Sequence, residues 1–279
     1  MTKERNSTLM SLLGQSSLIW AEARENLGFP EMILLDEIAS EPATIRVLQE
    51  RLSGSLVYMQ GGCYQSEADC NGTSLASYVH AIYGLVLQKH ARNVLMIGCG
   101  GGTLATMLES AGHNVTIVDI NPASFLVARK YFKLPVTVAC HVSDGKSFLR
   151  QPDAAICYDA IVVDAYEGHH FPAHLKSCKF FDLVRQRLST SGSVFVNIHL
   201  FGDLDRHADR VADCMGDIWS DVRILDSDGV FDRNAIVMGG SVGHLGIPKV
   251  TIPPAIGAEA LEREVLSMKF RPRRTNALG

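Results

Sequence analysis

One turn in the middle of the chain restricts its possible folds more than any other feature. The apolar run at residues 94–97 leads into a glycine-rich turn at 98–102, and a helix-compatible segment follows. This order is typical of parallel α/β sheets that bind a nucleoside against the turn, because glycine lets the backbone approach a ligand closely. We therefore expect the glycines of the turn to contact a ligand: Gly98, Gly100, Gly101 and Gly102.

Strand-like and helix-like segments alternate after this turn. Apolar runs at 115–120, 136–140, 159–165 and 194–198 are separated by segments with helical spacing. Two further runs, 222–225 and 235–238, lie close enough in sequence to pair antiparallel. Apolar strands that alternate with helices indicate a sheet covered on both faces. The prediction is an α/β fold with a Rossmann-like, seven-stranded, mainly parallel sheet.

The flanking regions have a different pattern. Residues 1–75 predict a helix at 7–28 and a small β-hairpin domain, with short apolar runs separated by turn residues. Residues 76–242 form the predicted catalytic domain, and residues 243–279 form a Pro- and Gly-rich C-terminal tail with one helix at 259–268. The arginines of the tail, Arg271, Arg273 and Arg274, are interpreted as solvated.

Composition excludes several classes of function. The net charge of −4 leaves no basic face for nucleic acid. No apolar run is long enough to cross a membrane. The seven cysteines include no C-x-x-C pair, so we expect free thiols and a cytoplasmic location. The ten histidines show no metal-ligand spacing, so we expect no metal.

Two acidic positions fit the recognition of an adenosine. Asp119 lies about 20 residues after Gly98 at the end of a predicted strand. A carboxylate at this place can accept hydrogen bonds from the ribose hydroxyls. Asp144 follows the next strand and can accept a hydrogen bond from the adenine amino group, cap a helix, or do both. Ile120 and Gly145, which follow these carboxylates, complete the predicted nucleoside site.

The end of the fourth predicted strand carries the candidate reaction centre. Asp164 and Glu167 should point at a bound ligand, because ligands lie beyond the carboxyl ends of parallel strands. A carboxylate pair can hold the ammonium of an amine acceptor and take its proton. Tyr166 either hydrogen-bonds the acceptor or packs within the loop, and His169 and His170 are interpreted as surface residues.

The order of these features resembles the spermidine synthase family, a branch of the class I AdoMet-dependent methyltransferase fold (AdoMet, S-adenosylmethionine). The resemblance covers residues 44–239. It is carried by the hairpin at 56–61 followed by Gln65, the glycine turn, and the segments 118–121, 144–149 and 159–167.

This resemblance implies a fold, ligands and residue roles. It implies a small β-domain over the Rossmann-like core, a homodimer, a decarboxylated AdoMet donor and a polyamine acceptor. Gln65 would contact the nucleoside, Asp119 the ribose and Asp144 the adenine, while Asp164 and Glu167 would orient and deprotonate the acceptor. Tyr78 and His80 would contact the acceptor.

Two departures from the family change the expected reaction. Gly101 stands where the family carries an aspartate in the glycine turn, and its loss relieves repulsion of a ligand carboxylate. This favours intact AdoMet as the donor. The chain also reads Tyr78-Val79-His80 where the family reads Tyr-His-Glu, so an acidic polyamine contact is missing.

The predicted function is thus a transferase that moves a methyl or aminocarboxypropyl group from AdoMet to a small-molecule amine. The alternatives are a polyamine aminopropyltransferase that uses decarboxylated AdoMet and a diamine, and a non-catalytic nucleoside-binding module. A nicotinamide oxidoreductase is disfavoured, because the turn reads G-x-G-G-G and not G-x-G-x-x-G.

Overall fold

The computed structural model describes residues 31–151, 157–168 and 170–274. The predicted N-terminal helix at 7–28 and His169 lie outside these residues. Two sheets are formed, one of four strands and one of eight. The prediction of an α/β fold with a small N-terminal β-domain is confirmed.

The small sheet is an antiparallel meander of four consecutive strands. They are β1 (Met32–Ile38), β2 (Ile45–Glu50), β3 (Leu56–Gln60) and β4 (Cys63–Ala68). Apolar and polar residues alternate along β2, so that Ile45 and Val47 are buried while Arg46 faces solvent. The buried face packs against Val127 and Phe132, which belong to and follow a helix of the main unit. This contact places β4 beside the glycine turn.

The large sheet has five parallel strands followed by three antiparallel ones, in the order β12-β10-β11-β9-β8-β5-β6-β7. The parallel strands are β5 (Asn93–Ile97), β6 (Asn114–Asp119), β7 (Ala139–Val142), β8 (Tyr158–Val163) and β9 (Leu188–Leu200). The others are β10 (Val222–Asp226), β11 (Arg233–Gly240) and β12 (Lys269–Arg271). The sheet thus has one strand more than predicted.

Helices cover both faces of this sheet. They are α1 (Ser77–Gln88), α2 (Thr103–Ser110), α3 (Pro122–Tyr131), α4 (Gly145–Leu149), α5 (Cys178–Arg187), α6 (His207–Gly216) and α7 (Ala258–Ser267). The helix α3 begins where Asn121 accepts a hydrogen bond from Ala123 N and Pro122 occupies the first turn. None of the helices in the described ranges is long and apolar enough to cross a bilayer.

Two predicted elements have different bounds in the structure. The third parallel strand lies at Ala139–Val142 and not at 136–140, and Val136 is 82% exposed in the connection before it. The segment with helical spacing between the fourth and fifth predicted strands is divided into a 3-10 turn, Ala173–Lys176, and α5. Ser177 separates the two, because its hydroxyl accepts a hydrogen bond from Phe180 N and starts a new helix.

Part of the segment after residue 242 joins the main sheet, and α7 lies close to the helix predicted at 259–268. The strand β12 pairs antiparallel with β10. The Arg271 side chain is 7% exposed and donates to Asp226 at 2.7 Å and to Asp209 at 2.8 Å. A buried carboxylate such as Asp226 requires cationic partners, and Arg271 supplies one of them. Arg271 is therefore not solvated, whereas Arg273 is.

A disulfide between Cys178 and Cys214 joins the start of α5 to α6. The expectation of free thiols therefore does not hold for this pair. The Cα atoms of the two residues are 5.0 Å apart, because α5 and α6 pack side by side on one face of the sheet. The other cysteines of the described residues are free.

We expect Cys214→Ser to lower the free energy of unfolding of the oxidised protein by about 3 kcal/mol, because the cross-link restricts the unfolded chain. Urea denaturation with and without reductant measures the change. Cys157→Ser, which alters an exposed free thiol, serves as the control. A wild-type midpoint that reductant does not move would contradict the prediction.

Candidate active site

A cleft opens to solvent at the carboxyl ends of the parallel strands. This is where ligands bind in open α/β sheets. The small sheet forms one wall of the cleft and the loop after β8 forms another. The predicted site residues that line it are Gln65, Gly98, Gly100, Asp119, Ile120, Asp144, Gly145, Asp164, Tyr166 and Glu167.

The floor of the cleft is the contact between Gly98 and Asp164. Asp164 N donates to Ile97 O at 2.9 Å, so the ends of β5 and β8 are joined directly. Gly98 has a φ of +102°, and a Cβ atom on it would lie 2.0 Å from Asp164 O. Only glycine fits this position, because both the backbone conformation and the neighbouring strand exclude a side chain.

Gly101 and Gly102 do not line the cleft, contrary to the prediction. A Cβ atom on Gly101 would lie 3.0 Å from the Phe132 ring and 3.1 Å from Ser66 Cβ, so this position is packed from behind. Gly102 begins α2 with a φ of +68° and packs against Leu134. These two glycines shape the turn, while Gly98 and Gly100 face the open space.

Most N–H groups of the glycine turn already have partners. Gly101 N donates to Ser66 Oγ at 2.9 Å, and Cys99 N donates to Asp119 Oδ2 at 2.7 Å. Gly98 N and Gly102 N donate to backbone carbonyls. The turn therefore offers few free donors to an anionic ligand group. The hydrogen bond from Gly101 N to Ser66 was not predicted, because it links the turn to a distant strand of the small sheet.

Asp119 and Gln65 line the cleft from the large and the small sheet, respectively. Asp119 also accepts from Asn121 N at 2.7 Å, and burial raises its pKa although these hydrogen bonds oppose the shift. The Gln65 amide nitrogen is buried and has no hydrogen-bond partner within the described residues. A buried donor without a partner is costly, so this amide is available to a ligand.

Asp144 caps α4, as one of its two predicted roles requires. Its Oδ1 accepts from Ser147 N at 2.9 Å, and its Oδ2 lies 2.7 Å from His174 Nε2. Partial burial opposes ionisation, but the hydrogen bonds from Ser147 and His174 outweigh it and lower the pKa of Asp144. One Asp144 oxygen thus faces His174, which the sequence did not single out.

Apolar side chains stand around Asp144 and can hold a flat ring. Ile120 is exposed at the end of β6, and Pro172 and Leu175 approach from the 3-10 turn that carries His174. Gly145 must lack a side chain, since a Cβ atom there would lie 2.4 Å from Ile97 Cγ2. The resulting slot has apolar walls and a carboxylate at one end.

Asp164 is held by two neutral hydrogen-bond donors. Asn197 Nδ2 donates to its Oδ1 at 2.8 Å, and Tyr78 OH donates to its Oδ2 at 3.1 Å. Burial raises the pKa of Asp164, and these two hydrogen bonds only partly offset the shift. Asn197 was missed because it lies inside an apolar strand, far in sequence from the predicted site.

Tyr166 and His80, two candidate contacts of the amine acceptor, use polar groups in other hydrogen bonds. Tyr166 OH donates to Asn197 O at 3.2 Å and accepts from His199 N at 2.7 Å, so only its ring faces the cleft. His80 is fully buried, and its Nε2 lies 2.7 Å from Ser74 O. Residues two apart on a helix do not share a face, so His80 points away from Tyr78 and the cleft.

The cleft carries negative charge without a permanent cation. Among its lining residues, four are acidic and none is lysine or arginine. Glu167, the fourth acid, is exposed and bridges to His170 through the backbone. A site of this kind favours a cationic ligand and repels a carboxylate.

The fold and the position of the cleft define the chain as a protein of the class I methyltransferase fold. Residues 94–192 match the family model of a methyltransferase domain. A probable spermidine synthase from Corynebacterium glutamicum has a similar structure, with a TM-score of 0.69 and 17% identity over 86% of this chain and 91% of that one.

Within this class, the predicted resemblance to the spermidine synthase family is confirmed by sequence. A probable polyamine aminopropyl transferase of Bifidobacterium longum is 31% identical over 128 residues, 45% of this chain and 28% of that protein. An N-terminal histidine N-methyltransferase of Emericella nidulans is 30% identical over 122 residues, 43% of this chain and 22% of that protein. The chain thus spans less than a third of the length of these two relatives.

We expect Gly98→Ala to abolish the nucleoside site, because the new methyl group would collide with the Asp164 carbonyl. Circular dichroism and calorimetric titration with methylthioadenosine measure folding and binding. Gly246→Ala is the matched control, because its new Cβ atom would lie 3.7 Å from the nearest heavy atom, Gln88 Oε1. Wild-type affinity in the Gly98→Ala protein would refute the assigned contact.

Proposed function

We propose that the chain is a transferase that moves a group from an AdoMet-type sulfonium nucleoside to a small-molecule amine. The observation that carries this proposal is the half-buried Asp164 carboxylate beside the glycine turn, held by neutral donors in an acidic cleft. A homodimer, implied by the family resemblance, and a cytoplasmic location, expected from the cysteine pattern, remain predictions.

The nucleoside would bind between the two sheets. Asp119 supplies acceptors at the end of β6, and the unpartnered Gln65 amide faces the same space from β4. The apolar slot next to Asp144 suits an adenine ring. The sulfonium charge would then lie above Gly98 and near Asp164, in surroundings that favour a cation.

Asp164 has the properties of a base for an amine acceptor. An ammonium must lose its proton before its nitrogen can attack the carbon bound to sulfur. Because burial raises the pKa of Asp164, this carboxylate binds a proton more readily than an ordinary aspartate. Glu167 at the rim would attract the ammonium, and alignment of nitrogen, carbon and sulfur would complete the reaction geometry.

The charge of the cleft favours decarboxylated AdoMet as the donor. A donor carboxylate would find no lysine or arginine, and most N–H groups of the glycine turn are already used. The absence of a carboxylate at Gly101 does not reverse this preference, because Ser66 and Phe132 fill the position. Aminopropyl transfer is also the activity named for the Bifidobacterium relative.

Methyl transfer from intact AdoMet is the second candidate. The methyltransferase domain match and the resemblance to a histidine N-methyltransferase support it. Both reactions use the same base and the same nucleoside site, and they differ in the carbon that is attacked.

Calorimetric titration with decarboxylated AdoMet and, separately, with AdoMet distinguishes the two candidates. We expect tighter binding of the decarboxylated ligand, because the cleft offers no counter-charge for a carboxylate. Tighter binding of AdoMet would instead favour methyl or aminocarboxypropyl transfer. Binding of both without turnover of any amine would indicate a non-catalytic module.

We expect Asp164→Asn to lower kcat/KM at least about 100-fold without loss of stability at neutral pH. In the wild type, activity should fall on acidification. Because the pKa of Asp164 is raised, this fall should occur at a higher pH than it would if the base were an aspartate with an ordinary pKa. The raised pKa also means that the contribution of Asp164 to stability declines as pH rises through that pKa. The Asp164→Asn variant does not titrate at this position and should lack that decline.

Rate profiles against pH and thermal unfolding at two pH values measure these effects. Asp182→Asn, which neutralises an exposed carboxylate on α5, is the control. An Asp164→Asn enzyme that retains wild-type turnover would exclude Asp164 as the base.

A further inference from the structure

We propose that Asn197 is the positioning residue that fixes the Asp164 carboxylate toward the reacting amine, an inference that rests on the proposed function. Asn197 lies on β9, next to β8 in the sheet, and is 3% exposed. Its Nδ2 donates to Asp164 Oδ1 at 2.8 Å. Neither composition nor the family resemblance pointed to this residue.

The position of Asn197 in its strand is otherwise an apolar one. Alternate residues of a strand share a face, so Asn197 lies on the same face of β9 as Phe195, which belongs to the hydrophobic core. A polar side chain in such a place must be compensated by hydrogen bonds. Here the compensation is incomplete, because the Asn197 Oδ1 atom is buried and has no hydrogen-bond partner among the described residues.

This incomplete pairing argues for a role beyond stability. A valine or leucine at this position would bury no unpaired oxygen, so packing alone favours an apolar side chain. The amide orientation is nevertheless fixed. Turning the amide around would place its oxygen against a carboxylate oxygen, where two acceptors repel each other. The side chain therefore serves as a donor aimed at Asp164.

Asn197 also fixes the loop that carries the other reaction-centre residues. Its backbone oxygen accepts the hydrogen bond from Tyr166 OH. One residue of β9 thus holds both Asp164 and Tyr166, just after the chain leaves β8. The carboxylate and the loop cannot move independently while these two contacts persist.

The hydrogen-bond donors that hold the Asp164 carboxylate are neutral groups. Tyr78 approaches from α1 and Asn197 from β9, while the Tyr166 hydroxyl is turned to the backbone of β9. In the described part of the chain, no lysine, arginine or histidine pairs with Asp164. Loss of the Asn197 donor therefore removes one of two hydrogen bonds that stabilise the charged form.

The titration of Asp164 tests this role without reference to turnover. Protein labelled with ¹³C at aspartate carboxyls is titrated by NMR, and the Asp164 signal is assigned with Asp164→Asn. We expect Asn197→Ala to raise the Asp164 midpoint by about one pH unit. The nearly isosteric Asn197→Asp should raise it further, because two adjacent carboxylates share a proton.

Ser193→Ala is the matched control. It removes another buried side-chain hydrogen bond from β9, the one to Ser241 O, and does not touch Asp164. We expect it to leave the Asp164 midpoint unchanged. In the Asn197 variants the acid limb of kcat/KM should move with the midpoint, while the affinity for methylthioadenosine stays at the wild-type value.

An Asp164 midpoint that moves in neither Asn197 variant overturns the proposal. So does a loss of kcat that accompanies an equal loss of nucleoside affinity with a static midpoint, since that pattern reports general damage to the fold. The two failures are separable. If no donor and amine react, the proposed function fails, yet the midpoints still decide whether Asn197 positions the carboxylate.

Discussion

The close approach of two strand ends, at Gly98 and Asp164, is the constraint on which the site depends. Because Ile97 O accepts from Asp164 N, the glycine turn and the candidate base are fixed relative to each other by backbone alone. No side-chain rotation is needed to bring them together. The remaining parts, from Gln65 on the small sheet to His174 on the 3-10 turn, are arranged around this junction.

Two carboxylates of this chain, the buried Asp226 and the half-buried Asp164, are stabilised in opposite ways. Asp226 lies between Arg233 and Arg271, and hydrogen bonds from both arginines outweigh burial and lower its pKa. Asp164 has only an amide and a phenol as partners, and burial raises its pKa. The first arrangement locks a charge in place and serves the fold. The second leaves a carboxylate that can exchange a proton.

Sequence patterns predicted the parts of the site that depend on local structure. Asp119 and Asp164 follow apolar strands, and glycines follow the first strand, so their shared edge could be deduced from periodicity. Ser66, His174 and Asn197 could not be deduced in this way, because each reaches the site from an element distant in sequence. Their polar groups are also common in turns and strands that have no such role.

The errors have a similar physical origin. His80 was assigned by its place in a family motif, although two-residue spacing on a helix turns it away from Tyr78. The disulfide between Cys178 and Cys214 depends on how α5 and α6 pack, which cysteine spacing does not reveal. Arg271 was predicted to be solvated because its own segment does not indicate the ion pairs that it forms with Asp209 and Asp226.

The place of β12 at the rim of the large sheet has a consequence for synthesis on the ribosome. As the chain emerges, β10 can pair with β11 at once, but its other edge stays open until β12 leaves the exit tunnel. During that interval the nascent chain carries an unpaired strand edge and a buried acid that lacks one of its two cations. An open edge of this kind can pair with neighbouring chains. The nascent chain is therefore exposed to pairing with other chains in the interval before β12 appears.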